Sequence, residues 1–560
     1  MLQAPNPSSA LASLLAPAAS GHFDELRGTR AMGAQNESLA GLSAHHERMA
    51  PSWAQFFDDI GSDGLGDLNH RAEILERQIR DNGVTYNVYA DAGGPQRPWS
   101  LDLFPLIVTP ESWQQIELGV LQRVRLLEQV MADVYGPQQL LARGLLPPAL
   151  VHGHPGYLRP MHGAQPVGGT YLHITAFDLA RGPDGNWWLV SQRTQAPSGL
   201  GYLLENRLAV SRLFPKAFSN MQVQRVAGAY RALMDNLRAM SPGGQDSHIA
   251  LLTPGPYNET YFEHAYLARY LGLTLVEGGD MLVRDQRLYL KTLKGLVPIH
   301  ALLKRMDDEF LDPLELRSDS RLGVPGLLQA VRAGNVLVAN ALGSDFLESP
   351  ALLGFLPAVA RHLLGEELRM PALPTWWCGE RSVLEEALPR LAECAIKPTY
   401  PGTQQHGSFD AVLGRDLATR ELDEWAGRIA RQGDEHTIQA YLPLSQLPTW
   451  QRDASPEGGR MLPRSTMLRV FAVCNGERSW QVLPGGLARV AMANAEIAAM
   501  QRGGSSADVW VMTRGAVDRT SLLAPALTPG TVAQRKRLVT SRAAENLFWL
   551  GRYTDRKSVV

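Results

Sequence analysis

Residues 304–310, "KRMDDEF", place Arg305, Asp307 and Asp308 in a compact charged cluster after a strand-like segment. Such a cluster can grip a charged substrate, and it can equally form a structural ion pair. A second stretch, "NWWLVSQRTQAPSGLGYLLENR" (186–207), reads as the end of a buried strand, a tight turn and then a helix. Its Ser198 lies in P-S-G rather than G-x-S-x-G, which excludes a hydrolase elbow, and "LTPGPYN" lacks the lysine and spacing of a Walker loop. His152, His154 and His162 in "VHGHPGYLRPMH" have no acid or cysteine nearby, so local hydrogen bonding is expected of them rather than metal binding. The pairs Trp187–Trp188 and Trp376–Trp377 could stack a base, but at strand positions packing is expected.

The elements that must position these residues alternate between helix and strand. "LNHRAEILERQIRDNG" carries Leu68, Ile74, Leu75 and Ile79 at helical spacing and ends at Gly83, with the strand-like "VTYNVYAD" following. "SWQQIELGVLQRVRLLEQVMADVYG" predicts a second long helix closed by Gly136. "HIALLTPG" and "LTLVEGGDMLV" read as buried strands around the helix "TYFEHAYLARYLG", and "GLLQAVRAGNVLVANALGSDF" repeats that βαβ logic. Further on, Lys397 ends a strand, "EHTIQAYLP" is another, and "STMLRVFAVCN" with "SWQVLPGGLARVAM" predicts an antiparallel pair. The expected fold class is mixed α/β in several lobes.

Composition narrows the function classes. The chain has 560 residues, 45% of them hydrophobic and 20% charged, enough for roughly three to four domain-sized units. A net charge of −2 and a pI near 6.7 supply no global attraction to nucleic acid or to anionic membranes. Cys378, Cys394 and Cys474 are far apart and odd in number, which argues against a disulfide framework and fits a reducing cytoplasm. The Ala, Ser, Gly and Pro content of the first fifty or so residues predicts poor order, so residues 1–64 are read as a flexible tail and lead-in. No stretch reaches the roughly 18 uninterrupted apolar residues of a membrane span.

The strings "NGVTYNVYAD", "LTPGPYNETYFEHAYLARYLGLTLVEGGDMLV", "KRMDDEFLDP", "LGVPGLLQAVRAGNVLVANALG", "LPGGLARVAM" and "RGGSSADVWVM" occur in the order of the circularly permuted type 2 ATP-grasp family, which the chain resembles over roughly residues 65–515. After a linker at 516–540, "SRAAENLFWLGRYTDR" resembles the first helix of the alpha-E domain, so residues 541–560 read as a truncated start of that all-helical module and a possible protein-partner region. The family is similar in fold to glutathionylspermidine synthase. The resemblance implies ATP-dependent joining of a carboxylate, possibly that of a peptide, to an amine through an acyl phosphate, with magnesium as cofactor.

That chemistry requires carboxylates for magnesium, cations for the phosphates and a glycine-rich loop. By resemblance Lys397 reaches the nucleotide phosphates, Gln439 and Tyr441 lie at the adenine hinge, and Gly402 and Gly407 remain from the phosphate loop. Arg469 and Arg489 face phosphates or the acyl phosphate, Arg305 and Asp307 serve the substrates, and Asp178 is the first metal ligand. Three departures fall on this machinery. Family members commonly carry Glu-Asp-Asn where this chain has Ser191, Gln192 and Arg193, a "GSGGYG"-like run where it has "KPTYPGTQQHGSFDA", and an acid where it has Met467. Magnesium is therefore doubtful. Two readings stay open, an ATP-grasp ligase and a degenerate relative that binds a nucleotide or peptide without catalysis.

Overall fold

The computed structural model describes residues 16–31, 49–86, 97–402, 409–452, 459–493, 495, 503–522 and 539–557. At its centre the strand Ile174–Arg181 is buried at every position but the last. A strand apolar on both faces belongs inside a sheet. It pairs antiparallel with the long strand Gly459–Gly476 on one side and with Trp187–Arg193 on the other. Among the described residues these three lie in a ten-stranded sheet. The expected pair is confirmed in a divided form, because Ser479–Val482 and Leu487–Val490 are separate strands, each antiparallel to the long one.

One edge of this sheet corrects the expectation of disorder in the first fifty residues. Phe23–Asp24 and Thr29–Arg30 form a hairpin whose Asp24 pairs with Gln446, and buried Asp24 is held by Arg27 at 2.7 Å. The Gln446 pairing and a contact of His22 Nδ1 with the Leu444 carbonyl at 2.7 Å are long-range anchors that outweigh a loop-like composition. The helix Pro51–Gly66 follows, burying Trp53, Phe56 and Phe57. The rest of the expected tail, residues 1–15 and 32–48, lies outside the described residues.

Both long helices form where the periodicity places them. Leu68–Asp81 buries Leu68, Leu75 and Ile79, although Ile74 faces outward. Pro110–Val134 starts on a Thr109 cap, whose hydroxyl accepts from the Ser112 N–H, with proline at the first turn. The strands Ile249–Leu252, Thr274–Val276, Ala301–Lys304 and Leu337–Ala339 form a parallel sheet, with the helix Tyr261–Leu271 as one crossover.

"LTLVEGGDMLV" is not one strand. A turn at Gly278–Asp280 sends Met281–Arg284 into a separate antiparallel sheet. There Glu277 and Asp280 cap each other's backbone, and a Cβ on Gly278 would fall 2.1 Å from the Leu322 carbonyl oxygen. A third lobe is the antiparallel sheet of Thr375–Trp377, His436–Ala440, Cys394–Pro398 and Val412–Leu413, closed over its own core of Ile396, Ile429 and Ile438. The C-terminal helix Ser541–Lys557 leaves Leu547, Phe548, Leu550 and Tyr553 exposed, and its first turn is tied down by Arg542 to Glu277 and Asp280. Among the described residues no helix is long and apolar enough to cross a membrane.

A charged cleft as candidate active site

An aspartate in the middle of a strand buried on both faces must be neutralised, because a lone buried carboxylate is costly. Asp178 is such a residue. Ser191 stands opposite it on one neighbouring strand and Arg469 on the other. The Arg469 guanidinium donates from Nε to Oδ1 at 2.8 Å and from Nη2 to Oδ2 at 3.0 Å. Arg489, from the next strand, adds Nη2 at 2.7 Å from Oδ1, and the Ser191 hydroxyl donates to Oδ2 at 2.7 Å. Burial opposes ionisation here, but the two arginines outweigh it and hold the carboxyl far below the usual range. A bulge between Asp178 and Leu179 marks this place in the ladder.

Arg469 and Arg489 line a cleft of about 720 Å³, which Lys397, Arg193, Asp307 and Glu348 also border. Lys397 comes from the antiparallel lobe. Its neighbour across the ladder is Thr437, so Gln439, two residues on, shares its face, and the Lys397 ammonium donates to Gln439 Oε1 at 2.6 Å. Burial and the nearby Arg193 lower Lys397 to about 8, with Asp178 opposing. Burial likewise brings Arg489 down to about 10. Arg193 is paired with Glu348 at 3.0 Å, and Glu348 Oε1 also accepts from the backbone N–H groups of Thr194 and Gln195.

The lining also carries acids. Asp307, Asp308, Asp345 and Glu348 border the cleft, and buried Lys304 pairs with Asp308 at 2.6 Å. Asp307 is exposed to the cleft yet surrounded by protein. Loss of solvent pushes it up to about 6, with Asp308 and Glu348 adding to the shift and Lys304 opposing it. Asp345 is raised for the same reasons.

The Pro197–Ser198–Gly199 turn that starts the helix Leu200–Leu213 also lines the cleft. Gly199 has φ +120°, and a Cβ there would stand 3.0 Å from the Phe471 ring. The Glu263 carboxylate accepts from the Gly199 and Gly201 N–H groups, while Arg469 Nη1 donates to the Ser198 carbonyl at 3.0 Å.

The structure thus gathers Lys397, Arg469, Arg489 and Asp307 at one cleft, with Asp178 behind the arginines and Gly402 at the rim. Arg305 does not reach it. Its side chain is buried, donates to the Pro197 carbonyl at 2.6 Å and stands 3.6 Å from Glu263, so it braces the turn. Gln439 is not among the lining residues and meets the site only as the acceptor of the Lys397 ammonium, and the Tyr441 ring packs under Arg415, also outside the lining. Gly407 lies outside the described residues. His154 bonds locally, its Nδ1 accepting from the Gly156 N–H, and Trp187 donates to Ser112 in the core. Sequence reasoning missed Glu348 and Asp345, although "GSDFLESP" directly follows a parallel strand, where α/β sheets gather ligand-binding groups. It also missed the stacked pair Trp99 and Tyr202, 3.9 Å between centroids, both of which line the cleft.

The sequence profile of the circularly permuted ATP-grasp type 2 family matches residues 105–491. The chain belongs to this family. An uncharacterized Mycobacterium tuberculosis protein is 33% identical over 517 residues, 90% of this ATP-grasp chain and 57% of its own length, so the chain spans little more than half of that relative. An uncharacterized Synechocystis protein is 33% identical over 464 residues, 82% of this chain and 94% of that one. Among solved structures, the apo form of a glutathione synthetase-like effector from Globodera pallida superposes with a TM-score of 0.50 at 13% identity, covering 80% of this chain and 96% of that one. That likeness shows the fold.

ATP-grasp proteins generally use magnesium, and the donor set here does not fit it. Magnesium takes oxygen ligands at about 2.0–2.1 Å in an octahedron. Both Asp178 oxygens already accept from guanidinium groups, Ser191 is neutral and spends its proton on Asp178, and Arg193 is a cation. Among the described residues no group of three acids, histidines or cysteines is arranged to hold a metal.

Proposed function

We propose that the cleft is the active site of an ATP-dependent carboxylate–amine ligase. The observation that carries this reading is the convergence of Lys397, Arg469 and Arg489, from strands of two different sheets, on one cleft of a protein with the ATP-grasp fold. Three cations in a confined, partly dry space suit a triphosphate and the charge that develops on a transferring phosphoryl group. In the reaction a substrate carboxylate oxygen bonds to the terminal phosphorus as ADP leaves. An amine nitrogen then bonds to the acyl carbon, phosphate leaves, and the amine gives up a proton. Asp307, which also lines the cleft, serves in this reading as the base that takes that proton. Gln439 holds the Lys397 ammonium, and Glu263 with Arg305 holds the turn at Gly199. A cytoplasmic setting fits the three buried free cysteines.

A second reading is a nucleotide- or peptide-binding scaffold without catalysis, acting with an active homologue. It is favoured by the saturation of Asp178 by two arginines. The exposed apolar face of the C-terminal helix, which resembles an alpha-E start, would suit it to a protein partner.

Calorimetric titration with a non-hydrolysable ATP analogue tests nucleotide binding, with Lys397→Ala expected to weaken it. Incubation with ATP, ¹⁸O-labelled carboxylates and a panel of amines then separates the readings. Label appearing in the released phosphate identifies the acyl phosphate. Binding without any carboxylate-dependent ADP formation across the panel favours the scaffold.

A further inference from the structure

The misfit between this cleft and a divalent metal has a specific structural form. Resting on the nucleotide reading of the cleft, we infer that the Arg193 guanidinium stands in for the metal, so that the cleft binds a phosphate chain through side-chain cations without magnesium.

Three observations support the assignment. A metal bound to Asp178 would have to displace the two-pronged Arg469 contact and the Arg489 contact, three charge-assisted interactions of 2.7–3.0 Å. The neighbouring strand cannot complete a metal site either. Ser191 donates to Asp178, and the buried Gln192 amide donates the other way, to the Leu347 carbonyl at 2.7 Å. Finally, Arg193 is built in. Its Nη1 is fixed on Glu348, which is itself fixed by two backbone N–H groups, while the side chain remains 38% exposed in the cleft. Arginine carries five N–H donors, so one fixed contact leaves others for an anion.

The charges agree with this. Beside Asp178 the cations Arg193, Lys397, Arg469 and Arg489 gather with Glu348, while the rest of the lining carries the acids Glu259, Asp307, Asp308, Glu309, Asp345 and Asp410. At Asp178 itself the gathered guanidinium groups offer donors to an anion and repel a divalent cation, so the anion is expected on this part of the lining. Arg469 and Arg489 thereby gain a second task, since the carboxylate that would hold a metal instead fixes their guanidinium groups at the cleft. A free triphosphate would meet preorganised cations there.

The test is calorimetric titration of the full chain with a non-hydrolysable ATP analogue and with inorganic tripolyphosphate, in EDTA and in excess magnesium. Both ligands are expected to bind in EDTA, with magnesium leaving the affinity unchanged or lowering it as the complexed phosphates lose charge. Arg193→Gln is expected to weaken binding in EDTA by roughly tenfold or more, the scale of one hydrogen bond to a charged group. Ser191→Glu/Arg193→Asn, which restores the family's oxygen donors, is expected to shift binding toward magnesium dependence. Binding by the wild-type protein only with magnesium would overturn the inference and leave the nucleotide reading intact. Unchanged affinity in EDTA for Arg193→Gln, with its circular dichroism and melting temperature preserved, would also overturn it. Absence of binding in both buffers would overturn the nucleotide reading and this inference with it.

Discussion

Asp178 and Arg469 stand directly opposite each other in neighbouring antiparallel strands, and both carboxylate oxygens accept from that one guanidinium. A carboxylate with 2% side-chain exposure is tolerated there because Arg489 and Ser191 complete its shell. Asp178→Asn leaves two arginine groups without their counter-charge, and removing one partner of a buried pair costs about 3–5 kcal/mol. Denaturant unfolding near neutral pH is expected to show a loss of that order. The native carboxyl lies well below its ordinary range, so its contribution is fully present above the unfolded pKa of about 3.9 and is lost as pH falls further. The wild-type and variant unfolding curves should therefore converge on acidification. A constant gap down to pH 2 would contradict the pairing.

Lys397 has the opposite sensitivity. Its folded pKa is lowered to about 8, chiefly by burial and next by Arg193, and only the ammonium form can meet a phosphate. Affinity for a non-hydrolysable ATP analogue is therefore expected to fall as pH rises from 7 through 8 to 9. Lys397→Arg, which stays charged across that range, should flatten the profile. The same shift makes folding less unfavourable once the ammonium is lost, so stability should gain slightly over the interval in which binding declines. Calorimetry and thermal melts over one pH series would read both effects, and parallel slopes in wild type and Lys397→Arg would remove Lys397 from the phosphate site.

Much of this arrangement was legible in the sequence, and the limits have physical causes. Asp178, Lys397, Arg469 and Arg489 each lie on a strand recognisable from its apolar run, and family resemblance assigned them to phosphates and metal. What could not be read was which of them meet. Asp178 and Arg469 are 291 residues apart in the chain, and only sheet register decides that the arginine fills the carboxylate. Glu348 was missed because its partner Arg193 is 155 residues away and local spacing carries no mark of the pair. Arg305 misled for the converse reason. It adjoins Asp307 in sequence, but the two side chains leave the strand end in different directions, one into the turn at Pro197 and the other to the cleft. The hairpin at residues 23–30 shows the same limit, since tertiary anchors at Leu444 and Gln446 override a loop-like composition.

Asp307 should report on the acids of the lining. Its folded pKa is pushed up to about 6 by loss of solvent, assisted by Asp308, Glu348 and Glu309 and opposed by Lys304. A raised carboxyl pKa means that the native state holds its proton longer than the unfolded chain does. This contribution to stability is present below the ordinary aspartate pKa of about 3.9 and is lost as pH rises through 6. Asp307→Asn is expected to remove that part of the pH dependence, leaving a flatter melting-temperature profile between pH 4 and 6.5. Amine-dependent ADP formation, where a substrate pair is found, should rise through pH 6 in the wild type as the base loses its proton and should lose that limb in the variant. A wild-type profile with no inflection near 6 would exclude Asp307 as the proton acceptor.

Gly199 tests how far the cleft depends on the Pro197–Ser198–Gly199 turn. Its φ of +120° is one that side chains rarely adopt, and a Cβ would press on the Phe471 ring at 3.0 Å and on Leu487 at 3.3 Å. Leu487 lies two residues before Arg489, and Phe471 two residues after Arg469, so the displaced side chains belong to the strands that carry both arginines. Gly199→Ala is expected to cost about 1–3 kcal/mol in unfolding experiments. It should also weaken binding of the ATP analogue, because the Ser198 carbonyl that fixes Arg469 Nη1 moves with the turn. Glu263→Gln loosens the same turn from its other side while adding no bulk, since a neutral amide accepts less strongly from the Gly199 and Gly201 N–H groups. If the turn positions the arginines, both variants lower affinity. A Gly199→Ala protein that is less stable yet binds normally, beside a Glu263→Gln protein that also binds normally, would confine the turn to a structural role.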